Sequence, residues 1–139
     1  MKIRIVGCGH IGAVNAYGFI TKGFKVCVSE INLEKLQKIR RKEPLFFERT
    51  LDWSRFYSNT EVAGDGEYSD LSVICIDLPV IDGKYETAKL AELIAIQRET
   101  SNLVGLRSTL GPREISNLMT ELWSKSLDGL DNIFYWPEF

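Results

Sequence analysis

The sequence predicts an α/β domain built on a doubly wound parallel sheet of six strands, in the spatial order 3-2-1-4-5-6. Two observations carry this prediction. Strand-like and helix-like segments alternate about six times along the chain, which is typical of parallel strands joined by right-handed helical crossovers. A glycine-rich turn, "GCGHIG" at 7–12, stands between the first strand-like segment and the first helix-like one. We therefore expect helices on both faces of the sheet.

The first part of the chain predicts two strands, each followed by a helix. The predicted elements are a strand at 2–6, a helix at 10–22, a strand at 24–30 and a helix at 33–42. Gly23 stands where the first helix should end, because glycine readily adopts the left-handed conformation that closes a helix. Asn32 can cap the second helix, since its side-chain oxygen can accept an unpaired backbone N–H.

Between residues 43 and 70 the pattern changes. Pro44 ends the preceding helix, because proline has no N–H to donate and its ring clashes with the previous turn. The segment "EPLFFERTLDW" at 43–53 predicts a short amphipathic turn, and "RFYSN" at 55–59 predicts a short third strand.

The second half of the chain returns to alternating strands and helices. The predicted elements are a buried strand at 70–79 ended by Pro79, a turn at Asp82 and Gly83, a helix at 85–100, a strand at 102–109, a helix at 112–125 and a last strand at 131–136. Pro112 suits the first position of its helix, where a missing N–H costs nothing. Without repeats or low-complexity linkers, we expect one domain over residues 1–139.

Composition excludes several classes of function. A formal net charge of -2 gives no electrostatic reason to expect nucleic acid or an anionic membrane surface, and the basic run at 38–44 fits a solvated helix end. Apolar runs are far shorter than the ~20 residues that span a bilayer, and the N-terminus does not resemble a signal peptide, so we expect a cytoplasmic protein. Three widely spaced cysteines and one histidine predict reduced thiols and no metal site.

The glycine-rich turn predicts a dinucleotide site of the Rossmann type. Gly7, Gly9 and Gly12 have the G-x-G-x-x-G spacing. Gly7 would permit the sharp turn, Gly9 would let the backbone approach a pyrophosphate, and Gly12 would let helix and strand pack closely. The helix that starts at His10 and Ile11 would present unpaired N–H groups and a partial positive charge to the phosphates.

An acidic residue at the end of the second strand completes the pattern. Glu30 stands at the position from which a carboxylate can accept hydrogen bonds from the adenosine ribose, and its charge would repel a 2'-phosphate. We therefore expect NAD rather than NADP. Two alternatives remain open at this point: Glu30 as an ordinary surface glutamate, and a flavin on the same turn.

Five segments of the chain together resemble one known family. They are "MKIRIVGCGHIG", "GFKVCVSEINLEKL", "SDLSVICIDLP", "LRSTLGPRE" and "WPEF". The sequence is similar to the N-terminal NAD-binding domain of the UDP-glucose/GDP-mannose dehydrogenases, whose members typically read S-T-V-x-P-G-T and N-P-E-F at the last two places. The coinciding residues are Ser108, Thr109, Pro112, Pro137, Glu138 and Phe139.

The resemblance implies a reaction and residues to serve it. Enzymes of this family oxidise the 6-hydroxymethyl group of a nucleotide sugar to a carboxylate in two NAD-dependent steps. By this resemblance Thr109 would lie near the nicotinamide and a reactive water, and Glu138 would act on protons or water at the sugar's C6. Leu78 and Pro79, which replace a threonine-proline pair, would also border the cofactor. Without the resemblance, Thr109 could cap the next helix and Glu138 could be a tail carboxylate.

The resemblance also implies that part of the enzyme lies outside these residues. The family's cysteine nucleophile belongs to a later domain, and none of the three cysteines here matches it. We therefore expect a truncated chain, without the central and C-terminal domains, that is inactive alone and meets a nucleotide sugar only when those domains are supplied. A homo-oligomer or a complementary chain would be its partner. The alternative is a stand-alone NAD-sensing regulatory module.

Three smaller departures from the family pattern accompany the missing nucleophile. Leu78 stands in place of threonine, Trp136 in place of asparagine and Arg113 in place of glycine. They predict an altered cofactor geometry or a divergent member.

Overall fold

A computed structural model describes residues 1–64, 66–125 and 130–136 of the chain. In chain order the elements are β1 (Lys2–Val6), α1 (His10–Thr21), β2 (Lys25–Ser29), α2 (Leu33–Arg41), α3 (Trp53–Ser58), β3 (Thr60–Val62), β4 (Ser69–Ile74), β5 (Val80–Ile81), β6 (Lys84–Tyr85), α4 (Thr87–Thr100), β7 (Ser101–Leu106), α5 (Pro112–Ser124), a 3-10 turn (Leu130–Asn132) and β8 (Ile133–Tyr135).

Six strands form one parallel sheet in the order β3-β2-β1-β4-β7-β8. Since β7 and β8 are the fifth and sixth strands of this sheet, the predicted order 3-2-1-4-5-6 is confirmed. In register, Val6 lies opposite Ser29 and Ile74. The loops that leave β1, β2 and β4 therefore emerge side by side at one edge of the sheet.

Helices cover both faces of the sheet, as predicted. On one face, Ile5, Val28 and Val73 pack with Ala13 and Ala16 of α1. On the other face, the strand side chains pack against α4 and α5; the buried residues there include Val6, Ile74, Leu106, Leu90, Ile94, Leu118 and Leu122. The fold is therefore a three-layer α/β arrangement with a core on each side of the sheet.

The predicted helix ends are also confirmed. The Asn32 side chain accepts a hydrogen bond from the Lys35 N–H at 3.0 Å, and Gly23 has φ 84 directly after α1. Pro112 is the first residue of α5. Among the described residues, we find no helix with both the length and the apolar character needed to cross a membrane.

The prediction of a strand at 55–59 was wrong, because these residues belong to α3 or directly follow it. Asp52 caps this helix by accepting the Arg55 N–H at 3.0 Å. Trp53, Phe56 and Tyr57 have the spacing that places side chains on one helical face, and the ring of Phe56 is fully buried. The third strand follows instead as β3, one residue after the cap.

The prediction that the strand at 70–79 continues to Pro79 was also wrong, because β4 ends at Ile74. The residues after it form a loop at the carboxyl edge of the sheet, followed by a short antiparallel hairpin of β5 and β6. The predicted turn at Asp82 and Gly83 is confirmed: both residues have positive φ, 50 and 73, which closes the hairpin tightly.

Helix α1 covers only part of its face of the sheet. Leu103 is 45% exposed although β7 is an inner strand, and Phe134 lies over Gly105 on the neighbouring strand. The cover ends where Phe19 of α1 meets the ring of Trp136, with ring centroids 6.5 Å apart. The half of this face on β7 and β8 is therefore open.

Candidate functional site

The turn between β1 and α1 requires glycine at two positions for reasons of space and backbone conformation. Gly7 has φ 88, and a Cβ there would lie 2.8 Å from the Cys75 carbonyl oxygen. A Cβ on Gly12 would lie 2.0 Å from the Gly7 carbonyl oxygen, so the first turn of α1 packs directly on the loop before it. Both glycines shape the turn itself.

Gly9 differs from the other two glycines of the motif. Its φ is -75, which any residue can adopt, and a Cβ there would meet nothing within 4 Å. The fold alone therefore does not require glycine at this position. A glycine that faces open space beside a helix start leaves room for a ligand to approach the backbone.

The start of α1 can bind an anion. Gly9 occupies the N-cap, and its carbonyl accepts the Ala13 N–H at 2.9 Å. The N–H groups of the first turn have no partner within an α-helix and carry the positive end of the helix dipole. The first turn carries no acidic side chain that would compete for them. This is the geometry that binds a diphosphate without a lysine.

Glu30 connects the end of β2 to the glycine turn. Its Oε2 accepts the Cys8 N–H at 2.9 Å, and its Oε1 accepts the Asn32 N–H at 2.9 Å. Its side chain is only 6% exposed, and the Lys35 ammonium lies 3.9 Å from Oε2. A carboxylate has about four acceptor positions, so Glu30 can hold the turn and still accept hydrogen bonds from ribose hydroxyls.

A cleft of about 290 Å³ opens at the carboxyl edge of the sheet, where open parallel sheets bind ligands. The residues lining it are Gly9, His10, Ile11, Cys75, Ile76, Asp77, Leu78, Tyr85, Arg107, Ser108 and Thr109. The cleft thus brings together five of the predicted site residues: Gly9, His10, Ile11, Leu78 and Thr109. Gly7, Gly12 and Glu30 support its floor through the turn, and Pro79 follows Leu78. Glu138 lies outside the described residues.

The loop after β7 is held to the loop after β4. The Ser108 hydroxyl donates to the Ile76 carbonyl oxygen at 2.7 Å and is buried. Thr109, the next residue, is exposed and lines the cleft. The interpretation of Thr109 as a helix cap is wrong, since Gly111 occupies the N-cap of α5.

Comparison with protein families identifies the chain. The whole of residues 1–139 matches the model described as "UDP-glucose/GDP-mannose dehydrogenase family, NAD binding domain". The chain belongs to this family. The resemblance inferred from the sequence motifs is therefore confirmed. A search of curated proteins returned no significant match.

Solved structures of dehydrogenases share the fold. GDP-mannose dehydrogenase from Pseudomonas aeruginosa is 22% identical, with a TM-score of 0.78 over 100% of this chain and 36% of its own. The UDP-N-acetyl-mannosamine dehydrogenase Cap5O from Staphylococcus aureus gives 17% and 0.78 over 99% and 36%, and a UDP-glucose dehydrogenase from Pyrobaculum islandicum gives 21% and 0.70 over 99% and 36%. The chain thus spans about 36% of each of these proteins.

Among the departures from the dehydrogenase family pattern, Trp136 has a structural explanation. Its ring lies 5.1 Å from the Arg107 guanidinium, and its carbonyl accepts a hydrogen bond from Arg107 at 3.2 Å. Arg107 itself lines the cleft. The tryptophan therefore packs the end of β8 against the rim of the site, on residues that differ from the usual family set.

Sequence reasoning missed four side chains at this dehydrogenase-family cleft. Asp77 and Arg107 each follow a strand at the carboxyl edge, and this position alone could have predicted them. Tyr85 reaches the cleft from the hairpin, which the sequence did not reveal. Glu48 lies in the segment between α2 and α3, and its carboxylate approaches His10.

Cys8 is not a nucleophile in this arrangement. Its thiol is fully buried, and burial, together with the nearby charge of Glu30, raises its pKa to about 12. At neutral pH it is a protonated, small apolar side chain that fills the space under the turn. The thioester chemistry of the family therefore needs a thiol from elsewhere.

Proposed function

We propose that this chain is the NAD-binding part of a nucleotide-sugar 6-dehydrogenase. The observation that carries the proposal is the family match over residues 1–139, which coincides with a cleft that places the glycine turn opposite Thr109. The neighbouring structures are named for oxidation of GDP-mannose, UDP-glucose and related sugars, so the substrate class proposed here is a nucleotide sugar.

The residues of the cleft divide the work of binding. The first-turn amides of α1 hold the diphosphate, with Gly9 giving the room for close approach, and Glu30 accepts the adenosine ribose hydroxyls. The loop at Ile76–Leu78 and the Thr109 hydroxyl border the opposite end, where the reactive ring would lie. NAD, when bound, supplies the acceptor for the hydride from the substrate. Thr109 and Glu138 would serve the substrate side of that exchange.

The charges around Glu30 support NAD over NADP. The Glu30 carboxylate is held by two backbone N–H groups, and the nearest ammonium, on Lys35, lies close enough to be balanced by this carboxylate. A 2'-phosphate would therefore face a buried negative charge without a surplus positive charge. Repulsion of this kind discriminates against the phosphorylated cofactor.

Complete oxidation to the acid requires a complementary polypeptide. The chain spans about 36% of the related dehydrogenases, and the second oxidation of an aldehyde through a thioester needs a thiolate nucleophile. Cys8 is buried and protonated, so it does not meet this need. We propose that the chain binds NAD alone and turns over a nucleotide sugar only with the remaining domains.

Isothermal titration calorimetry with NAD and NADP tests the binding part of the proposal. We expect saturable binding of NAD and at least roughly tenfold weaker binding of NADP, equivalent to about 1.4 kcal/mol. Failure to bind either dinucleotide would contradict the proposal. An absorbance assay for NADH with UDP-glucose and GDP-mannose tests the second part, and turnover by this chain alone would overturn the requirement for a partner.

A further inference from the structure

We propose that Glu48 is a positioning residue that holds the His10 imidazole, in its protonated form, beside the diphosphate end of the cleft. NAD affinity would then fall as the pH rises through the range in which histidine titrates, about pH 5 to 8. This inference rests on the proposed function, because it assigns a role to side chains at the same cleft.

His10 is placed by three contacts. It is the first residue of α1 and lines the cleft beside Gly9. Its Nε2 lies 3.6 Å from Glu48 Oε2, and its ring centroid lies 5.0 Å from that of Phe46. The imidazole is 62% exposed, so it can meet a ligand while Glu48 and Phe46 restrict its orientation.

Glu48 is itself held in place. Its Oε1 accepts both the Thr50 N–H at 2.9 Å and the Thr50 hydroxyl at 2.8 Å. These two hydrogen bonds, more than the nearby His10, lower the pKa of the Glu48 carboxyl. The group therefore stays ionised through the neutral range and presents its second oxygen to His10.

The placement of His10 explains why a carboxylate is useful here. An imidazolium at the start of a helix is opposed by the positive end of the helix dipole. Glu48 supplies a compensating negative charge, and its distance of 3.6 Å is longer than a normal hydrogen bond, so it does not fully occupy the imidazole. A bound diphosphate adds more negative charge at the same place. Protonation of His10 and binding of NAD therefore favour each other.

The composition of the chain makes this effect measurable. His10 is its single histidine. Other charged or titratable side chains at this end of the molecule, among the described residues, include Arg49 beside Phe47 and, from the cleft, Asp77, Tyr85 and Arg107. Histidine is the side-chain type whose ordinary titration falls between about pH 5 and 8. A change of NAD affinity in that range can therefore be traced to one residue by substitution.

The experiment measures the Kd of NAD by calorimetry between about pH 6 and 8, at constant ionic strength and with protein carrying no histidine tag. For the wild type we expect the Kd to rise roughly fivefold to tenfold as the pH rises, since a charge-assisted hydrogen bond becomes a neutral one. H10N should bind with a weaker, pH-independent Kd, and E48Q should show a reduced slope. E92Q, which removes an exposed carboxylate paired with Lys125, is the matched control and should behave like the wild type.

A second readout does not depend on the variants. The single imidazole gives its own resonances in a proton NMR spectrum, and the midpoint of their titration should move to higher pH when NAD is added. A pH-independent wild-type Kd, or an unchanged slope in H10N, would overturn the role of His10, and an unchanged slope in E48Q would overturn that of Glu48. Wild-type protein that binds no NAD at any pH would overturn the proposed function as well, which separates the two failures.

Discussion

The three glycines of the turn serve different purposes, and this difference is visible residue by residue. Gly7 and Gly12 are required by neighbouring backbone atoms, whereas Gly9 faces open space. The motif is usually treated as a unit, yet here two positions belong to the fold and one to the ligand. Substitutions to alanine should separate the two roles.

The first prediction concerns this pair of glycines. Gly12→Ala places a methyl group 2.0 Å from the Gly7 carbonyl oxygen and should lower the free energy of unfolding by about 3 kcal/mol. Gly9→Ala should cost at most about 1 kcal/mol, for the poorer N-cap, but should weaken NAD binding by about tenfold or more. Urea denaturation and calorimetry measure the two effects. Equal loss of stability in both variants would contradict this division.

The second prediction concerns Glu30. Glu30→Gln replaces an acceptor oxygen with an amide donor that faces the Cys8 or the Asn32 N–H. The variant should lose about 1 to 2 kcal/mol of stability and bind NAD more weakly, because both the turn and the ribose contact depend on that carboxylate. Glu34→Gln, an exposed carboxylate paired with Lys38, is the control. Wild-type affinity in the Glu30 variant would refute the ribose assignment.

At the scale of the elements, the amino edge of the sheet is fastened by side chains. Lys2 at the start of β1 bonds to Glu67, whose other oxygen accepts the Gly64 N–H at 2.9 Å in the loop before β4. The hydrogen bond from Lys2, followed by that from Gly64, lowers the pKa of Glu67, and the same contact raises the pKa of Lys2. The pair therefore links one strand to the loop that precedes its neighbour.

This pair leads to the third prediction. A lowered carboxyl pKa contributes stability above its unfolded value, about 4.5, and loses it as the pH falls through the folded pKa. Glu67→Gln should therefore be less stable than the wild type at neutral pH, by up to about 1 kcal/mol for a pair this exposed, and the difference should vanish in acid. Thermal unfolding at neutral and acidic pH measures it. A difference that persists in acid would exclude the ionised pair as its cause.

The elements that sequence could predict are those with strong local signals. Asn32, Gly23 and Pro112 mark helix ends by their own chemistry, so α1, α2 and α5 were predicted closely. Residues 55–59 were assigned to a strand because aromatic side chains favour both strands and buried helical faces, and only the Asp52 cap distinguishes the two. Glycines and Glu30 reveal the cleft from local spacing, whereas Glu48 and Tyr85 reach it only through tertiary contacts.

At the scale of the whole molecule, the open half of the sheet matters most. Leu103, Phe134 and Trp136 lie on the face of β7 and β8 that α1 does not cover. Exposed apolar surface of this kind is usually buried against another part of a chain or a partner. In the related dehydrogenases, which are much longer than this chain, additional polypeptide is available for that purpose.

The fourth prediction follows from this open face. We expect the isolated chain to self-associate as its concentration rises, and Leu103→Lys should weaken the association without unfolding the protein, because position 103 is 45% exposed. Trp123→Lys is a matched control, since that exposed side chain lies on α5, away from this face. Sedimentation velocity measures the effect. A wild-type chain that stays monomeric at high concentration would refute it.

The hydroxyl groups of Ser108 and Thr109 are neighbours in sequence but are not interchangeable. Ser108 uses its hydroxyl to fasten the segment after one strand to the segment after the next, out of reach of any ligand. The width of the opening beside Thr109 is consequently fixed by a group that never meets the molecule bound there. Loss of that single fastening would change how tightly the two walls grip a guest while leaving every contacting atom in the sequence untouched.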